Sequence, residues 1–306
     1  MLSNLHLHSR FSDGMSWPED IALEAARAGL DIVALTDHDT MGGTERFTRA
    51  CEARSLKAIQ ACEIDICEPQ IEYKSELLAY FPKADLDSSI LYTKRLLQKS
   101  LEQRRRRLEF FIESAQELYP DKELSFQDLF RDKTGLDFDE ELARKISWSK
   151  VDLFLYLKAH RCIKPEMNYK EFKKRFFASG LLKKFKLDKP DVATVVKAVH
   201  GDGGFVVIPH LGHFWDDELP LFQKEAEKLR LLLAWFRRAG VDGVELYWYN
   251  SEFKSASFNE QLREIARPQG FFFTYGSDCH GPGSGKHTIM KFKGPFDGFP
   301  QKKSIS

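Results

Sequence analysis

The 306-residue chain carries 46 basic and 46 acidic side chains, so no global field draws it toward nucleic acid or an anionic membrane surface. The length suits one α/β barrel carrying an insertion, with enough chain to bury a sizeable core. Five cysteines without a CxxC pair argue against a disulfide framework or a thiolate zinc site. The absence of a cationic-then-apolar leader, or of a run of roughly 18 apolar residues, argues against secretion and a membrane span; a soluble cytoplasmic protein with no obligate protein partner is expected.

Leu2 to His8 reads as a strand with a polar end, its inward set being Leu2, Asn4, His6 and His8. Ser16-Trp17-Pro18-Glu19 then offers a capping box with proline in the first turn, Ile21 to Ala28 a small-residue helix, and Gly29 its close. A buried strand from Asp31 to Thr36, a helix from Thr44 to Arg54, and strands from Lys57 to Ile64 and from Ser75 to Phe81 follow. This alternation implies parallel βαβ pairing. From about Ala84 to Lys189 charged helical segments replace β-branched runs, which reads as a helical insertion. Alternation then resumes: helix Pro190 to His200, strand Gly204 to Pro209, a long helix from Leu219 to Ala239, strand Val241 to Tyr247, helix Phe258 to Ala266 and strand Phe271 to Tyr275. The expected organisation is a discontinuous catalytic barrel over 1–83 and 190–290, a helical insertion domain over 84–189, and a tail over 291–306.

The chemistry-bearing residues sit at strand ends. His6 and His8, two apart on a strand, point to one side, where neutral imidazoles can share cations. His8, His38, Glu63, His210, Asp278 and His280 all fall at or just beyond the carboxyl ends of expected strands, the catalytic face of a barrel. Glu76 is the exception, lying at the start of its strand. Asp13 supplies a further oxygen, while Asp37 and Asp39 suit an outer position that fixes a histidine tautomer. Glu63 ends an otherwise apolar strand, where an unpaired carboxylate is costly to bury without a cation. Taken singly, these residues have plainer readings as edge histidines, turn aspartates and salt-bridged acids; together they point to a metal site whose mixed N/O set permits manganese, zinc or iron. His213 is weaker, divided between a surface or outer position and a phosphate contact, and Cys279 reads as a small packing residue.

In Asn4-Leu5-His6-Leu7-His8-Ser9 with Ser12-Asp13-Gly14, and in Ala34 to Thr40 with Gly42-Gly43, the chain resembles the polymerase and histidinol phosphatase (PHP) family of metal-dependent phosphoesterases. Cys62-Glu63-Ile64, Ile208-Pro209-His210, Gly243-Val244-Glu245-Leu246-Tyr247 and Gly276-Ser277-Asp278-Cys279-His280-Gly281 complete the series. The resemblance implies an α/β fold, a distorted (β/α)7 TIM-like barrel with a helical insertion domain, holding two or three divalent metal ions. It implies that His6, His8, Glu63 and Asp278 hold one ion, Asp13, His38 and His280 another, and Glu63, Glu76 and His210 a third. Glu76 stands where the family commonly has histidine, which shifts that position toward oxygen-loving metals such as manganese or magnesium.

The insertion resembles the small helical domain of family members that hydrolyse nucleotide and oligonucleotide phosphates. Arg104 and Arg107, three apart on one helix face, are the implied substrate-binding pair, with a solvated face as the plainer alternative. Lys150-Val151-Asp152-Leu153 departs from the Arg-Pro-His pattern common in those relatives. The implied reaction is hydrolysis of a phosphomonoester of a nucleotide or small metabolite, with Glu63 and Asp278 positioning a hydroxide that bridges paired cations. His213 is a candidate phosphate contact and proton donor to the leaving oxygen. Two other readings stand beside it: a 5'-3' exonuclease on short single-stranded oligonucleotides, and a metal-stabilised binding module without hydrolytic ability, for which the departures at Glu76 and Asp152 argue.

Overall fold

A computed structural model, describing residues 1–86 and 88–301, contains the strands β1 (Leu2–Leu7), β2 (Ile32–Leu35), β3 (Lys57–Glu68), β4 (Tyr73–Phe81), β5 (Phe205–Ile208), β6 (Gly243–Tyr247), β7 (Phe272–Gly276) and β8 (Gly294–Pro295). They form one sheet in the order β7-β6-β5-β4-β3-β2-β1-β8, and a parallel bridge from Leu7 to Cys279 brings the end of β1 against the exit of β7. The sheet thereby curls into a nearly closed α/β barrel. Short apolar runs explain its inner strands: Ile-Val-Ala-Leu in β2 and Phe-Val-Val-Ile in β5 are buried throughout, as strands covered on both faces must be.

Helices α1 (Pro18–Arg27) and α2 (Thr44–Glu52) cover the first strands. The capping box expected at Ser16 does not form: Trp17 takes the cap position without a side-chain hydrogen bond, and the fixed φ of Pro18 starts the helix. Between β4 and β5 come α3 (Tyr92–Leu118), α4 (Phe126–Thr134), α5 (Glu140–Lys145), α6 (Lys150–Ala159), α7 (Tyr169–Phe172) and a π-helical turn over 173–178. Their buried side chains, among them Phe111, Phe130, Trp148 and Phe172, form a core separate from that of the barrel, and Phe11 enters it from the loop after β1. Phe11 thus keys the insertion proposed over 84–189 to the barrel.

Helix α8 (Val192–Gly201) returns the chain to the sheet. The single helix expected over 219–239 is two, α9 (Leu219–Lys224) and α10 (Ala226–Arg238), interrupted at Glu225, whose carboxylate accepts from Trp215 Nε1 at 2.8 Å. Helix α11 (Glu252–Ala266) precedes β7. The stretch expected as tail contributes β8, antiparallel to β1; residues 302–306 of that tail lie outside the described residues. Among the described residues no helix is long and apolar enough to cross a membrane.

Besides β8, β4 departs from the parallel expectation, and it explains Glu76. β4 is antiparallel to both β3 and β5, with Asp65 opposite Glu76 and Leu78 opposite Val207. The beginning of β4 therefore lies at the same end of the barrel as the carboxyl ends of its neighbours, and Glu76 reaches the mouth from a strand start.

Candidate metal centre

At the mouth of the barrel three groups of ligand-type side chains bring their donor atoms within 4.8 Å of one another: His8, Asp13, His38 and His280; His6, His8 and Glu63; and Glu63, Glu76 and His210. Glu63 Oε2 lies 3.5 Å from His6 Nε2, 3.4 Å from His8 Nε2 and 3.0 Å from His38 Nδ1, while its Oε1 lies 3.1 Å from His210 Nε2. Asp278 Oδ1 stands 3.1 Å from His8 Nε2 and 3.6 Å from His6 Nε2, and Asp13 Oδ1 stands 3.2 Å from His280 Nε2. Donors at about 2.0–2.2 Å from a first-row or similar divalent ion are themselves roughly 3.0–3.5 Å apart. The spacing thus matches coordination shells. Asp13 Oδ1 and His38 Nδ1 are moreover buried atoms that make no hydrogen bond, and such atoms call for another partner. The donor set fits divalent cations.

Supporting contacts hold these donors in place. Glu245, fully buried in β6, meets His6 Nδ1 at 2.8 Å and accepts from the backbone N–H of His210 at 2.9 Å, so His6 Nε2 is left facing the cluster. The backbone carbonyl of Asp278 does the same for His280 through Nδ1 at 2.9 Å. Gly276 makes this packing feasible, because a Cβ there would overlap the Glu245 carboxylate and crowd His6. His210 and Asp278 have φ of +27° and +51°, backbone strain of the kind that clusters at functional sites. Among the described residues the Asp37 carboxylate pairs with no imidazole; it accepts from Ser9 N at 2.7 Å, Ser9 Oγ at 2.6 Å and Ser12 Oγ at 2.5 Å, pinning the loop that carries Asp13.

Burial alone would discharge the whole group, and the outcome at each residue depends on its neighbours. Burial, reinforced by the charges of His280 and His38, pushes His8 down to about 3, leaving it a neutral ligand. Burial also opposes charge on His6 and His38, yet Glu245 and Glu63 raise His6, while Glu63, Asp13 and Asp65 raise His38 to about 9. Against the same desolvation, the imidazoles hold Glu63 and Asp13 well below the carboxylate range; Lys286 and His280 do so for Asp278.

The insertion residues are placed differently from expectation. Arg104 does not stand free for a substrate: Nε donates to Asp39 at 2.7 Å and Nη2 lies 2.8 Å from Asp65, with the side chain 6% exposed. Asp39 is thus engaged by Arg104 rather than by a histidine. Among the described residues Arg107 has no ion-paired carboxylate and donates to the Trp148 carbonyl at 3.5 Å; burial and the neighbouring Arg104, partly opposed by Asp65 and Asp39, push it down to about 10. Lys150 lies over the Phe177 ring at 4.0 Å, and burial together with Arg107, Lys173 and Lys189 lowers it. Asp152 closes a capping box with Ser149 and pairs with Lys133. His213 stacks on His210 with ring centroids 4.6 Å apart, and its Nδ1 lies 2.7 Å from Asp217.

Sequence reasoning assigned no role to Glu245, Tyr247, Asp65, Asp217 or Lys286. An acid inside the buried run Gly243–Tyr247 carried the same signal as Glu63 and would have found Glu245. Tyr247, whose hydroxyl donates to Asp278 Oδ2 at 3.3 Å, and Lys286, 2.5 Å from the same oxygen, depend on how loops return over the barrel.

Comparison with known proteins adds an independent line. The PHP domain model matches residues 4–164. The chain is 41% identical over 66 residues to an error-prone DNA polymerase of Nocardia farcinica, covering 21% of this chain and 6% of that protein, so it spans only a small part of that relative. A 5'-3' exoribonuclease of Haemophilus influenzae is 23% identical over 280 residues, 91% of this chain and 90% of that protein. A crystal structure from Bifidobacterium adolescentis, provisionally described as a metal-dependent phosphoesterase, shares the fold with a TM-score of 0.66 at 24% identity, covering 93% of this chain and 89% of that one. With ligand-type residues from both halves of one barrel meeting at its mouth, and a family match across more than half of its length, the chain belongs to the PHP domain family.

Proposed function

We propose that the chain hydrolyses the phosphomonoester of a nucleotide or small metabolite, with His6, His8, Glu63 and Asp278 holding one divalent cation and Asp13, His38 and His280 a second. The observation that carries this reading is the shared carboxylate: Glu63 faces His6, His8 and His38 with one oxygen and His210 with the other. Cations bound there supply Lewis acidity, making a water nucleophilic near neutral pH and neutralising phosphoryl oxygens. Glu63 and Asp278 would orient that water, and His213 Nε2 would protonate the leaving oxygen, with Asp217 at 2.7 Å from Nδ1 fixing its tautomer. Glu76, accepting from Ser75 Oγ at 2.7 Å, offers oxygen at a third position with Glu63 and His210, which favours manganese or magnesium there.

Substrate size follows from the seam between barrel and insertion. A largely apolar cavity of about 430 Å³ borders Asp13 and is lined by Met15, Leu129, Val151, Leu155 and Tyr156, a volume in the range of small-molecule sites. Arg107 and Lys150, from the insertion that forms one side of this seam, have no ion-paired carboxylate among the described residues, and they favour a substrate with a second anionic group. Those groups also support the second reading, exonucleolytic attack on short single-stranded oligonucleotides, in keeping with the Haemophilus influenzae exoribonuclease that the chain resembles.

The deciding experiment is metal analysis of the purified chain with a phosphate-release screen over nucleotides, bisphosphates, sugar phosphates and short oligonucleotides. Metal-dependent release from small esters supports the first reading. Release confined to oligonucleotides, falling steeply with added salt, supports the second. No release from any ester by the metal-loaded chain contradicts both.

A further inference from the structure

We propose that Lys286 is a phosphoryl-binding residue that serves as the counter-ion of Asp278 until substrate arrives, an inference that rests on the phosphoesterase reading above. Lys286 follows a loop in which Gly281, Gly283 and Gly285 have φ of +83°, +83° and +84°, a region where L side chains are strained. The loop closes on itself: Lys286 N donates to Ser284 Oγ at 3.0 Å, Ser284 Oγ donates to the Gly281 carbonyl at 2.7 Å, and His280 N donates to the Lys286 carbonyl at 2.8 Å. Its backbone is therefore fixed to a residue of the ligand cluster, while a four-carbon stem leaves the ammonium free to move.

The two oxygens of Asp278 face different company. Oδ1 is turned to His8 and His6, whereas Oδ2 meets the Lys286 ammonium at 2.5 Å and the Tyr247 hydroxyl at 3.3 Å. The Lys286 side chain is 46% exposed and that of Asp278 is 5% exposed, so the ammonium stands at the rim where solvent gives way to the buried carboxylates. Once the charge of Asp278 is taken up by a bound cation, that carboxylate no longer competes for the ammonium. A phosphoryl group entering from solvent then offers the stronger anion, within reach of a small swing of the stem. Lysine suits this task better than arginine because its compact charge makes no planar fork that would lock it to the carboxylate.

The test compares the full chain with Lys286→Met and Lys286→Arg, reading binding rather than turnover. Calorimetry follows inorganic phosphate binding to manganese-loaded protein and manganese binding to chelator-stripped protein, with circular dichroism confirming the fold. Lys286→Met is expected to weaken phosphate binding about tenfold or more, the weight of one charge-assisted hydrogen bond, while manganese affinity stays equal or tightens. Lys286→Arg should recover part of the phosphate affinity. The inference is overturned if Lys286→Met binds phosphate within about twofold of the parent, or if manganese affinity falls more than phosphate affinity. If the manganese-loaded parent neither binds phosphate nor hydrolyses any ester, the proposed function falls and the role of Lys286 with it; a parent that binds phosphate beside an unaffected variant sinks only the role of Lys286.

Discussion

The barrel mouth and the seam with the insertion handle charge in opposite ways. At the mouth every imidazole faces at least one carboxylate within 4 Å, and the chain backs the arrangement with strained backbone and a fully buried Glu245. Across the seam Arg107 and Lys150 carry like charge and, among the described residues, neither lies within ion-pair distance of a carboxylate; Asp65 and Asp39, engaged by Arg104, offset Arg107 only in part. On the proposed function the mouth would hold the cations, whereas Arg107 and Lys150 would meet an anionic group of the substrate, so that variation at the seam would change the substrate more than the metals.

The largest effect expected from breaking the mouth comes from Asp278→Asn. Phosphate release should fall about a thousandfold or more with the fold intact by circular dichroism, and parental activity at saturating metal would remove Asp278 from its assigned role. Glu245→Gln should lower divalent metal affinity roughly 10–100-fold, because His6 loses the carboxylate that orients it; unchanged affinity by calorimetry would show that the ring is held by packing alone. Arg104→Met leaves Asp39 buried without its partner, Asp65 keeping Lys189 at 2.9 Å, and should cost roughly 3–5 kcal/mol in denaturant unfolding. Arg107→Met sharpens the comparison, since it removes an unpaired charge: stability should be unchanged or higher while KM rises about tenfold. A matching loss of stability in both variants would erase the distinction between paired and unpaired arginines.

Protons give the smallest and most diagnostic signal. His38, raised to about 9, and His6, also raised, carry protons near pH 7 in the metal-free chain and must release them when cations bind. Metal affinity should therefore climb with pH toward about 9 and then level. In metal-stripped protein the sign reverses: the raised groups stabilise the fold fully below their unfolded value near 6.5, and His38 loses that contribution as pH rises through about 9. Calorimetry in two buffers of different ionisation heat counts the released protons, and none released at pH 7 would contradict this charge assignment.

Much of the mouth was legible because ligands at the carboxyl ends of strands follow buried runs, as His210 follows Val206-Val207-Ile208-Pro209. Glu76 was located but not understood, although no α-helix separates the strands expected over 57–64 and 75–81, and strands joined without a crossover run antiparallel. Arg104 was misplaced for a different reason. A charge run shows its own sign but not its counter-ions, and Asp39 and Asp65 lie 65 and 39 residues away in the chain. Lys286 was invisible because its contact with Asp278 exists only once a glycine loop has turned the chain back on itself.

The central claim is that side chains from both ends of the chain trap divalent ions at one barrel mouth. A crystal structure grown with manganese, read by anomalous scattering at the manganese edge, tests it most directly. The account predicts one peak among His6, His8, Glu63 and Asp278 and another among Asp13, His38 and His280. Saturating manganese with no peak at either position, and the imidazole–carboxylate contacts unchanged, would contradict it.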